Sequence, residues 1–137
     1  MKLAIVGVTG MVGREILEVL SERKFPLSDI FLVASEKSIG KQIFLNKQSY
    51  HIISLNSLLE KNIDLALFSA GSDVSKIWAP KLAEKGCKVI DNSSYWRMCS
   101  KHKLIVPEVN GEDLLLEDKI IANPNCSTIQ LVMALSP

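Results

Sequence analysis

The stretch Lys2-Leu3-Ala4-Ile5-Val6-Gly7-Val8-Thr9-Gly10-Met11-Val12-Gly13 decides how this chain folds. Lys2 to Val6 reads as a short, continuous apolar strand. After the glycines, Met11, Val12, Ile16, Leu17, Val19 and Leu20 recur at helical spacing up to about Arg23. Strand, glycine-rich turn and helix in that order make the phosphate-cradling unit of a dinucleotide fold. In that unit Gly7 permits the tight turn, Gly10 lets a pyrophosphate approach the backbone, and Gly13 lets the helix pack closely on the strand. Three glycines at this spacing also fit a strand-to-helix turn that uses them for packing alone. Their place, directly after a first strand and opening a helix, favours the dinucleotide reading.

With 137 residues, 47 % apolar and 23 % charged, the chain has the make-up of one globular domain with a real core. A net charge of +1 and the lack of a dense lysine and arginine cluster argue against a nucleic-acid partner. The opening apolar run is too short for a signal peptide, and no run approaches transmembrane length, so no membrane partner is expected. Cys87, Cys99 and Cys126 are odd in number and include no close pair. That spacing predicts neither a disulfide framework nor a metal site, and it suits a reducing, cytoplasmic location.

Beyond Pro26, the run Asp29-Ile30-Phe31-Leu32-Val33-Ala34 reads as a second parallel strand. An NAD-preferring fold usually carries an acid at the end of this strand for the ribose hydroxyls. Here the strand runs into Ser35-Glu36-Lys37-Ser38-Ile39-Gly40-Lys41, whose hydroxyls and lysines suit a 2′-phosphate and hence NADP. Glu36 dissents: pointing inward, it would accept ribose hydroxyls and repel the phosphate. Ile43, Leu45, Tyr50 and Ile52 alternate around Asn46-Lys47-Gln48-Ser49, as in a hairpin inserted between βα units, with His51 on its surface or in packing. A short helix around residues 57–61 precedes a third core strand at 64–68. Ser69-Ala70-Gly71 follows, small enough for a cofactor to come close. Ser72 is then expected to cap a helix that turns Val74, Ile77, Trp78 and Leu82 inward, kinks or breaks at Pro80 and stops at Gly86.

A fourth strand at 87–90 ends in Asp91-Asn92-Ser93-Ser94-Tyr95-Trp96-Arg97. Arg97 on this loop either grips a carboxylate or phosphate in a bidentate way or is an exposed loop charge. A further strand is expected at 104–106, then a short helix through Leu114 capped by Asn110, with His102 solvated in a loop. Strands alternating with helices predict an α/β fold, Rossmann-like and doubly wound, with a mostly parallel sheet and the inserted hairpin.

The chemistry is expected in Ile120-Ile121-Ala122-Asn123-Pro124-Asn125-Cys126-Ser127-Thr128-Ile129-Gln130-Leu131. A buried strand at 119–122 is stopped by Pro124, and Ile129, Leu131, Val132, Met133 and Leu135 fit a buried helix. Cys126 then sits at or just before the first helical turn, where free amides and the helix dipole favour a thiolate. Such a thiolate is a nucleophile for a carbonyl carbon, with amides near to hold the oxyanion. The bland alternative is a small buried apolar cysteine. The polar residues on both sides speak against it.

Several of these segments together resemble the amino-terminal domain of the aspartate-β-semialdehyde dehydrogenase family. They are the Gly7 to Gly13 loop, Ser35 to Lys41, Phe68-Ser69-Ala70-Gly71, Val89 to Met98, Val106-Pro107-Glu108-Val109-Asn110 and Ala122 to Thr128. The resemblance covers the whole chain, residues 1–137, as a dinucleotide-binding (Rossmann) domain that ends in the first helix of a substrate and dimerisation domain. It implies NADP contacts at Gly7, Thr9, Gly10, Met11, Val12, Gly13, Ser35, Lys37, Ser38, Ser69, Ala70 and Gly71. It implies Cys126 as nucleophile, Asn125 as a residue that positions substrate, and Arg97 as the holder of phosphate. The implied reaction converts L-aspartate 4-semialdehyde, phosphate and NADP⁺ to 4-aspartyl phosphate and NADPH, running in reverse in amino-acid biosynthesis (lysine, threonine, methionine), in a homodimer or homotetramer. The family's acid/base histidine, its substrate-gripping arginine and its glutamine belong after the cysteine, and His51 and His102 match no motif of it. The chain is therefore expected to be incomplete and inactive alone. The alternative is a non-catalytic nucleotide-binding module or a remnant of a split or truncated gene.

Overall fold

The computed structural model describes residues 1–46 and 48–136; Lys47, at the centre of the expected hairpin, lies outside the described residues. Among the described residues eight strands form one sheet in the order β3-β4-β2-β1-β5-β6-β8-β7. Central β1 (Lys2–Val6) pairs in parallel with β2 (Asp29–Val33) on one side and β5 (Leu65–Phe68) on the other. β6 (Lys88–Asp91), β8 (Ile120–Ala122) and β7 (Lys103–Leu104) continue in parallel. Among the described residues only β3 (Gln42–Leu45) runs antiparallel, to β4 (Gln48–Ile53). The expected hairpin thus forms between β2 and the next helix, and its second strand, β4, also pairs in parallel with β2 and extends the main sheet.

The alternation of β1 sorts the helices between two faces. Leu3 and Ile5 point to the side where α1 (Met11–Glu22) packs with Leu17, beside Ile30, Leu32 and Ile52. Ala4 and Val6 point to the other side, onto α2 (Leu55–Leu59) and α3 (Ser72–Glu84) through Leu58, Ala79 and Leu82. Helices on both faces of a mostly parallel sheet are the doubly wound α/β architecture expected of the chain.

Several local expectations need correction. α2 starts earlier than expected, because the Ser54 hydroxyl accepts from the Ser57 amide and caps it. Ser72 does not cap α3; Gly71, with a φ of 89°, takes that position and Ser72 is the first helical residue. On α3, Leu82 is buried and Val74 and Trp78 pack against the core as expected, whereas Ile77 is exposed and the small residues Ser75 and Ala79 are buried beside them. α3 runs unbroken through Pro80, whose missing amide deprives only the carbonyl of Lys76, an exposed residue. Gly86, at φ 90°, ends that helix.

β7 is two residues long, with Ile105 adding one more bond to the Ala122 carbonyl. Asn110 caps nothing downstream. It closes α4 (Pro107–Asn110) and turns its side chain back, accepting from the Val106 amide and donating to the Leu104 carbonyl. His102 is half-buried rather than solvated, lying edge-on to Trp96 with ring centroids 4.7 Å apart. Burial pushes its pKa down, against an upward pull from Asp118.

α5 (Cys126–Leu135) forms as expected, but it is not buried. Leu131, Met133 and Leu135 are exposed, Leu135 by 73 %. Apolar patterning reports what a helix can bury, and no described residue of this chain covers that face. Among the described residues no helix is long and apolar enough to cross a membrane. No group of three or more His, Cys, Asp or Glu side chains gathers there as a metal site.

Candidate active site

Parallel strands bring all their carboxyl ends to one edge, and a row of amides ties the exits together. Gly7 N donates to the Val33 carbonyl at 2.8 Å, Ser69 N to Val6 at 2.7 Å, Asn92 N to Phe68 at 2.9 Å and Asn123 N to Asp91 at 2.8 Å. The glycine turn, the Ser69 loop, the Arg97 loop and the cysteine turn therefore leave the sheet as neighbours.

The order β2-β1-β5 puts a topological switch beside β1, since the chain goes one way to β2 and the other way to β5. A crevice of about 330 Å³ opens there, lined by Gly7, Thr9, Gly10, Ser35, Ser69 and Ala70 among others. Gly7 has a φ of 95°, and a Cβ on it would land on the Ser69 carbonyl, 2.9 Å from the Ala70 nitrogen. A Cβ on Gly13 would stand 2.7 Å from Val8 Cα, so α1 could not seat against the turn. Small residues thus keep the cradle open and bring the α1 amides to it, a fit to the pyrophosphate of a dinucleotide.

The expected contacts divide on inspection. Thr9, Gly10, Ser35, Ser69 and Ala70 line the crevice with Gly7. Met11 and Val12, with Gly13, make the first turn of α1, but their side chains are exposed, Met11 by 87 %. Only their backbone amides can serve an anion. Lys37 and Ser38 lie on a 3-10 turn, Glu36–Ser38, directly after Ser35, and Glu36 is exposed at its start. Gly71 sits at the N-terminus of α3, past the lining residues. Leu55 and Val74 also line the crevice and escaped the sequence reading. Val74 reads as core on its helix and Leu55 lies before the expected start of α2, and only the arrival of α2 and α3 beside β1 brings both to the crevice.

Further along the edge, Cys126 is exposed as the first residue of α5, which removes the reading of a buried packing cysteine. The Asn125 side chain accepts from the Ser127 amide at 3.0 Å and caps the helix, with its oxygen 4.0 Å from the Cys126 sulfur. Asn125 is therefore committed by its oxygen, and its amide NH₂ makes no hydrogen bond among the described residues. Cys87 is the opposite kind of thiol. Burial, then Asp64, pushes its pKa up to about 12.

Arg97 is half-buried and neither loose nor spent. Its Nε donates to the Asn123 carbonyl and its Nη2 to the Asn92 carbonyl, each at 3.0 Å. The other terminal nitrogen makes no hydrogen bond among the described residues. The loop that carries Arg97 is anchored from below, where the buried Trp96 indole donates to Ser75 at 2.8 Å. Buried Asp91 accepts from the Ser93 amide and hydroxyl. The sequence assigns no role to Asn92, Asn123 or Ser75, because nothing in the spacing of Asn92 and Asn123 says that they meet.

Comparison with known proteins gives this edge a context. The chain is 54 % identical over 139 residues to the aspartate-semialdehyde dehydrogenase of Aquifex aeolicus, covering 99 % of this chain and 41 % of that protein. The crystal structure of aspartate semialdehyde dehydrogenase II from Vibrio cholerae, complexed with ASA, superposes with a TM-score of 0.91 at 46 % identity, over 99 % of this chain and 45 % of the other. The Candida albicans aspartate semialdehyde dehydrogenase with NADP superposes at 0.83 and 26 % identity, over 99 % of this chain and 46 % of that one. The chain thus spans about two-fifths of the length of the curated relatives it matches. The model of the semialdehyde dehydrogenase NAD-binding domain matches residues 2–116, from the first strand to just short of β8. With the glycine cradle, the switch-point crevice and that match in agreement, the chain belongs to the semialdehyde dehydrogenase family as its NAD-binding domain.

Proposed function

We propose that this chain supplies the NADP site and the nucleophile of an aspartate-semialdehyde dehydrogenase, oxidising L-aspartate 4-semialdehyde with phosphate to 4-aspartyl phosphate, or running the reverse. One observation carries the reading: exposed Cys126 begins α5 on the same sheet edge as the crevice, three residues from the carbonyl that holds Arg97. NADP over NAD is supported by Ser35, Lys37 and Ser38 after β2, where two hydroxyls and an ammonium group suit a 2′-phosphate.

In this mechanism the Cys126 thiolate bonds to the aldehyde carbon while the carbonyl oxygen takes up a proton. Amides of the first α5 turn and the Asn125 NH₂ are the donors available to that oxygen. Loss of a hydride from the carbon and of the hydroxyl proton leaves a thioester on Cys126. Bound NADP⁺ supplies the two-electron acceptor. A phosphate oxygen, held by Arg97, then forms the new C–O bond as the C–S bond breaks and the thiolate returns. Gly7 and Gly10 keep the cradle clear, Leu55 and Val74 give it an apolar wall, and the amides of the first α1 turn would hold the pyrophosphate.

The bare apolar face of α5 supports the reading that this domain works within a longer enzyme, whose further part covers that helix and brings the acid/base. Neither histidine here is suited to that task, since His51 is exposed on the hairpin and His102 packs against Trp96. The test is alkylation of Cys126 by iodoacetamide with and without aspartate semialdehyde, beside a phosphate-dependent assay of NADPH formation. The expected result is saturable protection of Cys126 with essentially no turnover, since acid/base assistance alone is worth about 10²–10⁴ in rate. An absence of protection at millimolar aldehyde sinks the nucleophile and leaves a nucleotide-binding module. Turnover that is lost in Cys126→Ala would instead mean that the chain carries its own base.

A further inference from the structure

Asn92 uses three groups on three partners. Its amide is tied to the Phe68 carbonyl at the end of β5, its carbonyl receives Arg97 Nη2 at 3.0 Å, and its side-chain oxygen receives Asn123 Nδ2 at 2.7 Å. Asn123 in turn gives its carbonyl to Arg97 Nε at 3.0 Å and leads through Pro124 to the cap of α5. Pro124 has no amide hydrogen to offer, so the cysteine turn is held to the sheet largely by what Asn123 bonds to. Arg97 thus rests on two carbonyls in two loops, and the Asn92–Asn123 amide pair sets the spacing of those loops.

We propose that Asn92 is a positioning residue: by pairing with Asn123 it fixes the Arg97 guanidinium relative to the Cys126 sulfur. The consequence is that an anion on Arg97 is held against a carbon bonded to Cys126. The inference rests on the reading of Arg97 and Cys126 given above. Without the pair, Asn123 keeps its amide bond to the Asp91 carbonyl but loses its side-chain tie to the loop that carries Arg97, and the carbonyl that aims Arg97 is held less closely.

The test uses the whole chain and two small alkylating agents, iodoacetate and iodoacetamide, which differ in charge but not in the bond they form at sulfur. By Coulomb's law in water, a unit positive charge at a distance of about 6 Å would favour the carboxylate reagent by about threefold. The ratio of the two rates at Cys126 therefore reads the position of Arg97. Arg97→Ala should lower the ratio about threefold, and Asn92→Ala should lower it by nearly as much. In the double variant Asn92→Ala should add nothing, because it acts only through Arg97. A purely structural role predicts additive losses or a change in both rates together. The inference is overturned if Asn92→Ala leaves the ratio intact or lowers it equally in the Arg97→Ala background. If Arg97→Ala itself changes nothing, the anion-holding role of Arg97 fails, and this inference falls with it. Should Asn92→Ala not fold, Asn123→Ala removes the same bond from its other end and must give the same cycle.

Discussion

Gly7→Ala tests the cradle most sharply, because Gly86 supplies a matched control. The two glycines have nearly the same φ, 95° and 90°, so an alanine at either pays a similar backbone penalty, about 1–2 kcal/mol. They differ in surroundings. A Cβ on Gly86 meets nothing within 4 Å, whereas one on Gly7 meets the Ser69 carbonyl and stands 2.6 Å from its carbon. All of those atoms are backbone, held by the bond from Ser69 N to the Val6 carbonyl, so the clash is relieved only by spreading β1 from β5. Forced overpacking of this kind adds about 1–3 kcal/mol. Gly86→Ala should therefore lose about 1–2 kcal/mol in urea unfolding, and Gly7→Ala about 2–5 kcal/mol. Calorimetric titration of the folded variants with NADPH should show Gly86→Ala unchanged and Gly7→Ala without binding. Equal destabilisation of the two variants would refute the close approach of the Ser69 loop to the turn. Wild-type affinity in Gly7→Ala would refute the crevice as the cofactor site.

Three other outcomes follow from the geometry. NADPH should bind at least about tenfold more tightly than NADH, about 1.4 kcal/mol, and equal affinities by titration would put Glu36, not the neighbouring hydroxyls and Lys37, in control of the ribose. Iodoacetamide with peptide mapping should label Cys126 first and Cys87 last, since Cys126 is exposed and burial holds the Cys87 thiol protonated up to about 12; faster labelling of Cys99 than Cys126 would contradict the exposed helix start. His102, its pKa lowered by burial, binds its proton less readily in the fold than in the unfolded chain, so its contribution is intact above about pH 6.5 and is lost as pH falls toward the lowered folded value. Urea unfolding of His102→Gln between pH 7.5 and about pH 5 should thus fall less steeply with acid than wild type, and parallel curves would contradict the packing against Trp96.

Residues 2 to 13 were enough to read the strand, the turn and the helix, because a glycine-rich turn between two periodic apolar runs is a local pattern. The same holds for Cys126 at the start of α5, since Pro124 and the capping Asn125 act within a few residues. Expectations failed where a side chain's neighbour comes from elsewhere in the chain. Ile77 has the look of a core residue and faces solvent, while Ser75 is buried because Trp96 brings an indole N–H to it. His102, flanked by lysines, reads as solvated until the same Trp96 packs against it. α5 reads as buried on its own apolar content, but burial needs a second surface, and no described residue provides one.

By itself, then, the sequence determined the order of strands and helices, the cradle and the thiol at a helix start, all of which rest on contacts within a turn or two. Only the tertiary structure decided that β4 joins β2, that Leu55 and Val74 wall the crevice, and that Asn92 meets Asn123 31 residues away. Those contacts depend on which strand ends lie side by side. Strand order is set by how the two faces of the sheet bury their helices, and no local spacing encodes it.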